Sequence, residues 1–211
     1  MLNPQNNSYL LFLPTAFQQF MYSNNAEAWK SYRTGFAKIS LKGLIMPGLD
    51  ISDADWQRLN LVGVYCTGSR LLNINMERMQ SVGSDFSFSR WQKCSGSQSE
   101  FYGAAMKSLI IENSIFQECT IVHSFLSGCT FTDTDLSGTD FSYSRLENID
   151  FIRCRLDRAS FQNARCLSVN LKNCSLKDTH FKVPPVPVRS EKTSPLLKLT
   201  SSDSASSISF P

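Results

Sequence analysis

Long apolar runs, an excess of one charge and a supply of histidines are all missing from this 211-residue chain. No apolar stretch approaches the roughly 18 residues of a membrane-spanning helix. The stretch Tyr9–Leu13 is short and has no cationic flank before it, so a secretory signal is not expected. Charged residues make up 18% of the chain, and 21 Lys+Arg stand against 18 Asp+Glu. That balance argues against a nucleic-acid binder driven by phosphate neutralisation. With two histidines, no H-E-x-x-H and no C-x-x-C, the sequence implies no metal site and no cofactor. The length suits one domain with a tail.

What is present is a period. Every fifth residue from Leu41 to Phe181 gives 29 positions, of which 27 are apolar; Ser81 and Gly96 are the exceptions. The phase one residue later holds only 7 apolar residues in 28, so the signal is confined to its register. Two residues before each apolar position, between Ser84 and Thr179, 17 of 20 residues are Ala, Ser, Thr or Cys. A period of five fits neither a helix nor an ordinary strand. A chain satisfies it by turning a corner every five residues, with the large and the small residue inward and the other three toward solvent. Four corners close a coil of about 20 residues, and coils stack at the ~4.8 Å strand spacing. An all-β solenoid follows.

The residues that carry this pattern resemble the pentapeptide-repeat family: a small residue, Asp or Asn, Leu or Phe, then two variable positions. Thr134-Asp135-Leu136-Ser137-Gly138, Thr139-Asp140-Phe141, Ile149-Asp150-Phe151 and Val169-Asn170-Leu171 match it, and Ala54-Asp55-Trp56 and Ser84-Asp85-Phe86 match with an aromatic centre. The resemblance implies a right-handed quadrilateral β-helix over residues 36–181, about seven coils. Leu44, Leu49, Leu59, Ile74 and Met79 put large residues in the small phase, which predicts wider or distorted first coils. Gly96 predicts a bulge over Ser95–Ser99.

The flanks differ in kind. Residues 1–35 read as a short helical N-terminal cap: Pro14 suits a first helical position, Asn25 an N-cap and Gly35 a stop. Phe17, Phe20, Met21 and Trp29 give these turns an apolar face for the open first coil. Residues 182–211 read as a Pro/Ser-rich disordered tail. Pro184 and Pro187, with Arg189 two residues on, have the spacing of a polyproline II ligand, and the same prolines equally serve to end the ladder.

Candidate chemistry is sparse. All seven cysteines fall on inward phases, and only Cys154 and Cys174 lie one coil apart. Inward thiols act as small hydrophobes, and an odd count speaks against a disulfide framework. His123 faces solvent with no thiol or carboxylate aligned to it, and a filled solenoid has no axial pocket, so no catalytic residue is expected. Residues 20 apart share a column, which pairs Asp133 with Arg153, Asp135 with Arg155, Asp157 with Lys177 and Arg158 with Asp178. Arg145 and Arg165 are like charges in one column, and with Lys172 they form a basic strip suited to an acidic partner. A rod that ends at Phe181 exposes strand edge, so Leu176 and Phe181 are expected at a homodimer end, as the resemblance also implies.

These features predict a non-enzymatic protein-protein interaction scaffold, bacterial and cytoplasmic, whose protein partner is not named by the sequence; membrane and nucleic acid are not expected partners. Two alternatives accompany it. One is a secreted effector of type III character acting on host proteins, consistent with the uncharged start Met1–Ser8. The other is a DNA mimic acting on a type II topoisomerase, as the resemblance implies for some members. The 15 acids and 15 cations of residues 36–181 count against mimicry.

Overall fold

The computed structural model describes residues 41–181 and Leu197–Thr200. The expected helical cap over 1–35, and Pro184, Pro187 and Arg189 of the tail, lie outside the described residues. From Leu41 the chain winds one coil and stacks six more upon it, every inter-coil pairing being parallel and offset by 20 residues. The strands in chain order are β1 (Asp50–Ser52), β2 (Arg70–Leu72), β3 (Arg90–Gln92), β4 (Ala105–Lys107), β5 (Ile110–Glu112), β6 (Phe125–Ser127), β7 (Thr130–Thr132), β8 (Arg145–Ile152), β9 (Arg165–Lys172) and β10 (Leu197–Thr200). β1, β2, β3, β5 and β7 line one face, β4 and β6 the preceding one, and β8 and β9 run round the corner between them. No helix occurs among the described residues.

The corners explain the period. Every fifth residue from Gly43 to Asp178 has a positive φ, eight of them glycines and twenty not. This left-handed conformation turns the chain from one face onto the next. One or two corners of each coil are tightened by an i to i+3 bond, as in Leu44 N–H to Leu41 O (3.2 Å) and Leu59 N–H to Trp56 O (3.0 Å). An Asp or Asn just before the large residue secures many turns. Its side chain accepts the N–H two residues on, as Asp135 does from Ser137 (3.0 Å) and Asn75 from Glu77 (3.1 Å).

The large phase fills the axis. Phe131 stacks on Phe151 at 4.9 Å between ring centroids, Phe141 on Phe161 at 4.9 Å, and Phe161 on Phe181 at 4.8 Å. The small phase does more than leave room. Ser124 Oγ donates to Phe101 O (2.6 Å) and accepts from Ala104 N–H (3.1 Å), so one hydroxyl satisfies two backbone groups inside a corner. Thr139, Ser144 and Cys129 donate to carbonyls 23 residues back in the same way.

Three expectations need correction. No bulge forms at Ser95–Ser99: Gly96 N–H bonds Ile115 O (2.7 Å) and Gln98 N–H bonds Gln117 O (2.8 Å) in unbroken register. The Phe116 ring takes the space instead, since a Cβ on Gly96 would lie 2.2 Å from Phe116 Cε1. The distortion expected of the first coils from their large residues does not break the register, with Leu49, Leu59, Ile74 and Met79 buried in the core and Leu44 half-buried against it. Finally, the outward phases are not uniformly exposed. Ser87, Ser137 and Ser142 are buried, because each backbone N–H is folded onto the aspartate two residues before it.

The tail contributes one element. β10 pairs in parallel with β9, Leu197 opposite Val169 and Thr200 opposite Lys172. Four tail residues thus have regular structure, and they lie on the last exposed strand edge, where an unpaired ladder is otherwise open to other chains.

Candidate interaction surface

The face built from residues 45–48 and their equivalents every 20 residues carries the most unusual side chains. Its outward column runs Ile45, Tyr65, Asp85, Ala105, Phe125, Arg145, Arg165, each paired in register with the next. Strand alternation puts the intervening large residues into the core and leaves this column outside. Tyr65 is 55% exposed and Phe88, at the adjoining corner, 60%. Phe88 also holds a φ of 63°, a conformation that costs a bulky residue about 1–2 kcal/mol. An exposed phenyl ring kept at such a position contributes nothing to the core.

Cations border these rings. Lys107 Nζ lies 5.5 Å from the Phe88 ring centroid, and the Arg145 guanidinium carbon 5.6 Å from that of Phe125. Arg145 also bonds Glu147 within β8, whereas Arg165 has no ion-pair partner among the described residues. The surface therefore grades from apolar near Ile45 and Tyr65 to cationic near Arg165. Tyr102, His123 and Tyr143 form a second aromatic group beside it, but they pack on one another, Tyr102 edge-on to His123 at 5.3 Å and His123 stacked on Tyr143 at 5.2 Å.

Of the three residues of the expected basic strip, the fold brings Arg145 and Arg165 together as adjacent residues of one column. Lys172 sits round the corner opposite Ile152 and Thr200, on the next face. Leu176 is half-buried, and Phe181 is buried under its stack with Phe161. Sequence reasoning missed Tyr65, Phe88 and Phe125. The signal was available in the outward phases, where Ile45, Tyr65 and Phe125 share one column of a 20-residue period.

The charge ladders appear in part. Arg153 donates twice to Asp133, both bonds at 2.7 Å, and their hydrogen bond holds the Asp133 carboxyl below its ordinary range. Arg155 reaches both Asp135 (3.4 Å) and Asp157 (3.2 Å). The expected Asp157–Lys177 ion pair is replaced, because Asp157 accepts the Lys177 backbone N–H at 2.9 Å and the Ser175 hydroxyl. Arg90–Glu112, 22 residues apart, is an additional pair that crosses columns.

Burial raises the thiols of Cys66, Cys94, Cys119, Cys129 and Cys166 to about 11 or 12, which makes poor nucleophiles of them. Among the described residues, no group of His, Cys, Asp and Glu is arranged to hold a metal ion.

A family model described as pentapeptide repeats (8 copies) matches residues 114–151 and again 140–178. Among solved structures, the chain is similar to HetL, a pentapeptide repeat protein involved in heterocyst differentiation regulation in the cyanobacterium Nostoc. That likeness has 15% identity over 72% of this chain and 91% of HetL, with a TM-score of 0.39. It is also similar to QnrB1, a plasmid-mediated fluoroquinolone resistance protein, at 15% identity over 65% of this chain and 72% of that one, TM-score 0.38. A third is the pentapeptide repeat protein Rfr23 from the cyanobacterium Cyanothece, at 16% identity over 71% of this chain and 91% of that one, TM-score 0.28. No curated protein matches.

Proposed function

Starting from a chain that is a pentapeptide-repeat protein, we propose that it works as a non-enzymatic scaffold, binding a protein partner along the Tyr65–Phe125–Arg165 face. The observation that carries this reading is the exposed aromatic column ending in cations. A filled solenoid has no use for Phe88 in a left-handed corner or for Tyr65 in solvent, and aromatic residues with arginine are what interfaces concentrate. Catalysis is not expected, since large side chains occupy the axis where a pocket would lie. The partner is a protein surface with an apolar patch beside acidic residues, meeting Tyr65 at one end of the column and Phe125, Arg145 and Arg165 in succession at the other.

The equal count of acids and cations over 36–181 supports this reading over a mimic of duplex DNA, which needs a strongly anionic rod. A cytoplasmic scaffold and a secreted effector both use such a face.

Affinity capture with three baits tests the proposal: the wild type, Arg145→Glu/Arg165→Glu on this face, and Arg58→Glu/Arg78→Glu on another. A partner held by the first and third baits and lost by the second is expected. A partner held equally by all three contradicts the assignment of this face.

A further inference from the structure

The last two coils each carry one of a pair of thiols whose environments differ. Cys154 and Cys174 occupy the same small inward phase on successive coils, and no other two of the seven cysteines share a column one coil apart. The ladder beside them is intact: Ser175 N–H bonds Cys154 O at 3.0 Å, and Arg155 pairs with Ser175. That register sets their Cα atoms near the ~4.8 Å strand spacing, inside the range a disulfide spans. Each thiol donates to a carbonyl 23 residues back, Cys154 to Phe131 O and Cys174 to Phe151 O, both at 3.3 Å. Both sulfurs therefore lie in equivalent positions, one above the other.

Their exposure differs. Cys154 is buried at 2%, covered by the following coil, whereas Cys174 is half-buried, with no further full coil stacked on it among the described residues. β10 covers the edge only as far as Lys172, two residues short of Cys174. We propose that Cys154 and Cys174 form a redox site: Cys174 is the attacking thiol, Cys154 the resolving one, and their disulfide clasps the terminal coil to the rod.

The closeness of the two thiols supports the roles: the neighbouring Cys154 lowers the Cys174 thiol, while that same neighbour and burial push the Cys154 thiol up. The oxidant is a low-molecular-weight disulfide such as oxidised glutathione. The Cys174 thiolate attacks one of its sulfurs, the glutathione S–S bond breaks, and one glutathione leaves and takes up a proton. Cys154 then loses its proton and attacks Cys174 Sγ, expelling the second glutathione as a thiol. Two protein thiols are oxidised, and the oxidant takes up the two electrons and two protons to become two thiols. The remaining cysteines take no part, since none has a thiol partner one coil away.

The test incubates the intact protein with excess oxidised glutathione and maps its peptides by mass spectrometry, with Cys154→Ser and Cys174→Ser as variants. Serine already fills this phase at Ser144, whose hydroxyl donates to the carbonyl 23 residues back, so both substitutions keep the corner donor. The wild type should lose two hydrogens and yield a peptide joining Cys154 to Cys174, with slower amide exchange over residues 165–181. Cys154→Ser should keep glutathione on Cys174, and Cys174→Ser should stay unmodified. A stable glutathione adduct on wild-type Cys174, or an unmodified Cys174 under conditions that oxidise a free cysteine, overturns the proposal.

Discussion

At the scale of the single residue, the corner decides what the chain tolerates. Each positive-φ position asks for a residue with little Cβ conflict, and none of the twenty non-glycine residues found there is Val, Ile or Thr. Asn and Asp recur, at Asp53, Asn73, Asn113, Asp133, Asn148, Asn163, Asn173 and Asp178. Gly103 sits at φ 64° with nothing within 4 Å of a Cβ built on it. Gly103→Val should therefore lower stability by about 1–2 kcal/mol through backbone strain alone, with Gly103→Asn costing distinctly less, as read by denaturant unfolding. This corner chemistry was legible in the sequence, where eight of the ten glycines fall on one phase. The hydrophobic period does not reveal it, because φ leaves no mark on polarity. The small phase was legible as small, yet its hydroxyl and thiol hydrogen bonds appear only once the carbonyl of residue i−23 is in place.

At the scale of the element, pairing is set by the 20-residue register, and side chains adapt to it. The register predicted Asp133–Arg153 and Asp135–Arg155, both present as ion pairs. It did not predict that Asp157 would take a backbone N–H in place of the Lys177 ammonium, because that choice depends on turn geometry. Asp133 and Arg153 are exposed, so their pair steadies the column more than it stabilises the fold. The Asp133 carboxyl is held below its ordinary value by Arg153. Its contribution is therefore present above the ordinary carboxylate range and is lost as pH falls through the lowered value. Asp133→Asn should melt slightly below the wild type at neutral pH, and the two curves should converge in acid. A gap that widens in acid would contradict the pairing. The Tyr65–Phe125–Arg165 face belongs to the same scale: its two arginines were legible as a column, while its rings were hidden in phases that the period marks only as outward.

At the scale of the whole molecule, the rod is a stack in which each coil touches only its neighbours, so the ends differ from the middle. β10 on β9 closes part of the C-terminal edge with the chain's own tail, where an open edge had been expected to meet a second subunit. A tail rich in Pro and Ser gives little sign in its composition that Leu197–Thr200 forms a strand, because four residues with alternating apolar character are too few to show a period. Every other feature, from the aromatic axis to the outward Tyr65–Phe125–Arg165 column and the thiol pair, follows from 20 residues advancing one strand spacing. Spin labels introduced as non-natural side chains at Lys42 and Gln162, both exposed and six coils apart in one column, measure that advance by pulsed electron resonance. Their backbone separation should be about 29 Å, and that of Lys42 and Val122, four coils apart, about 19 Å. Equal separations for the two pairs, or a difference far from about 10 Å, would contradict the stacked coil.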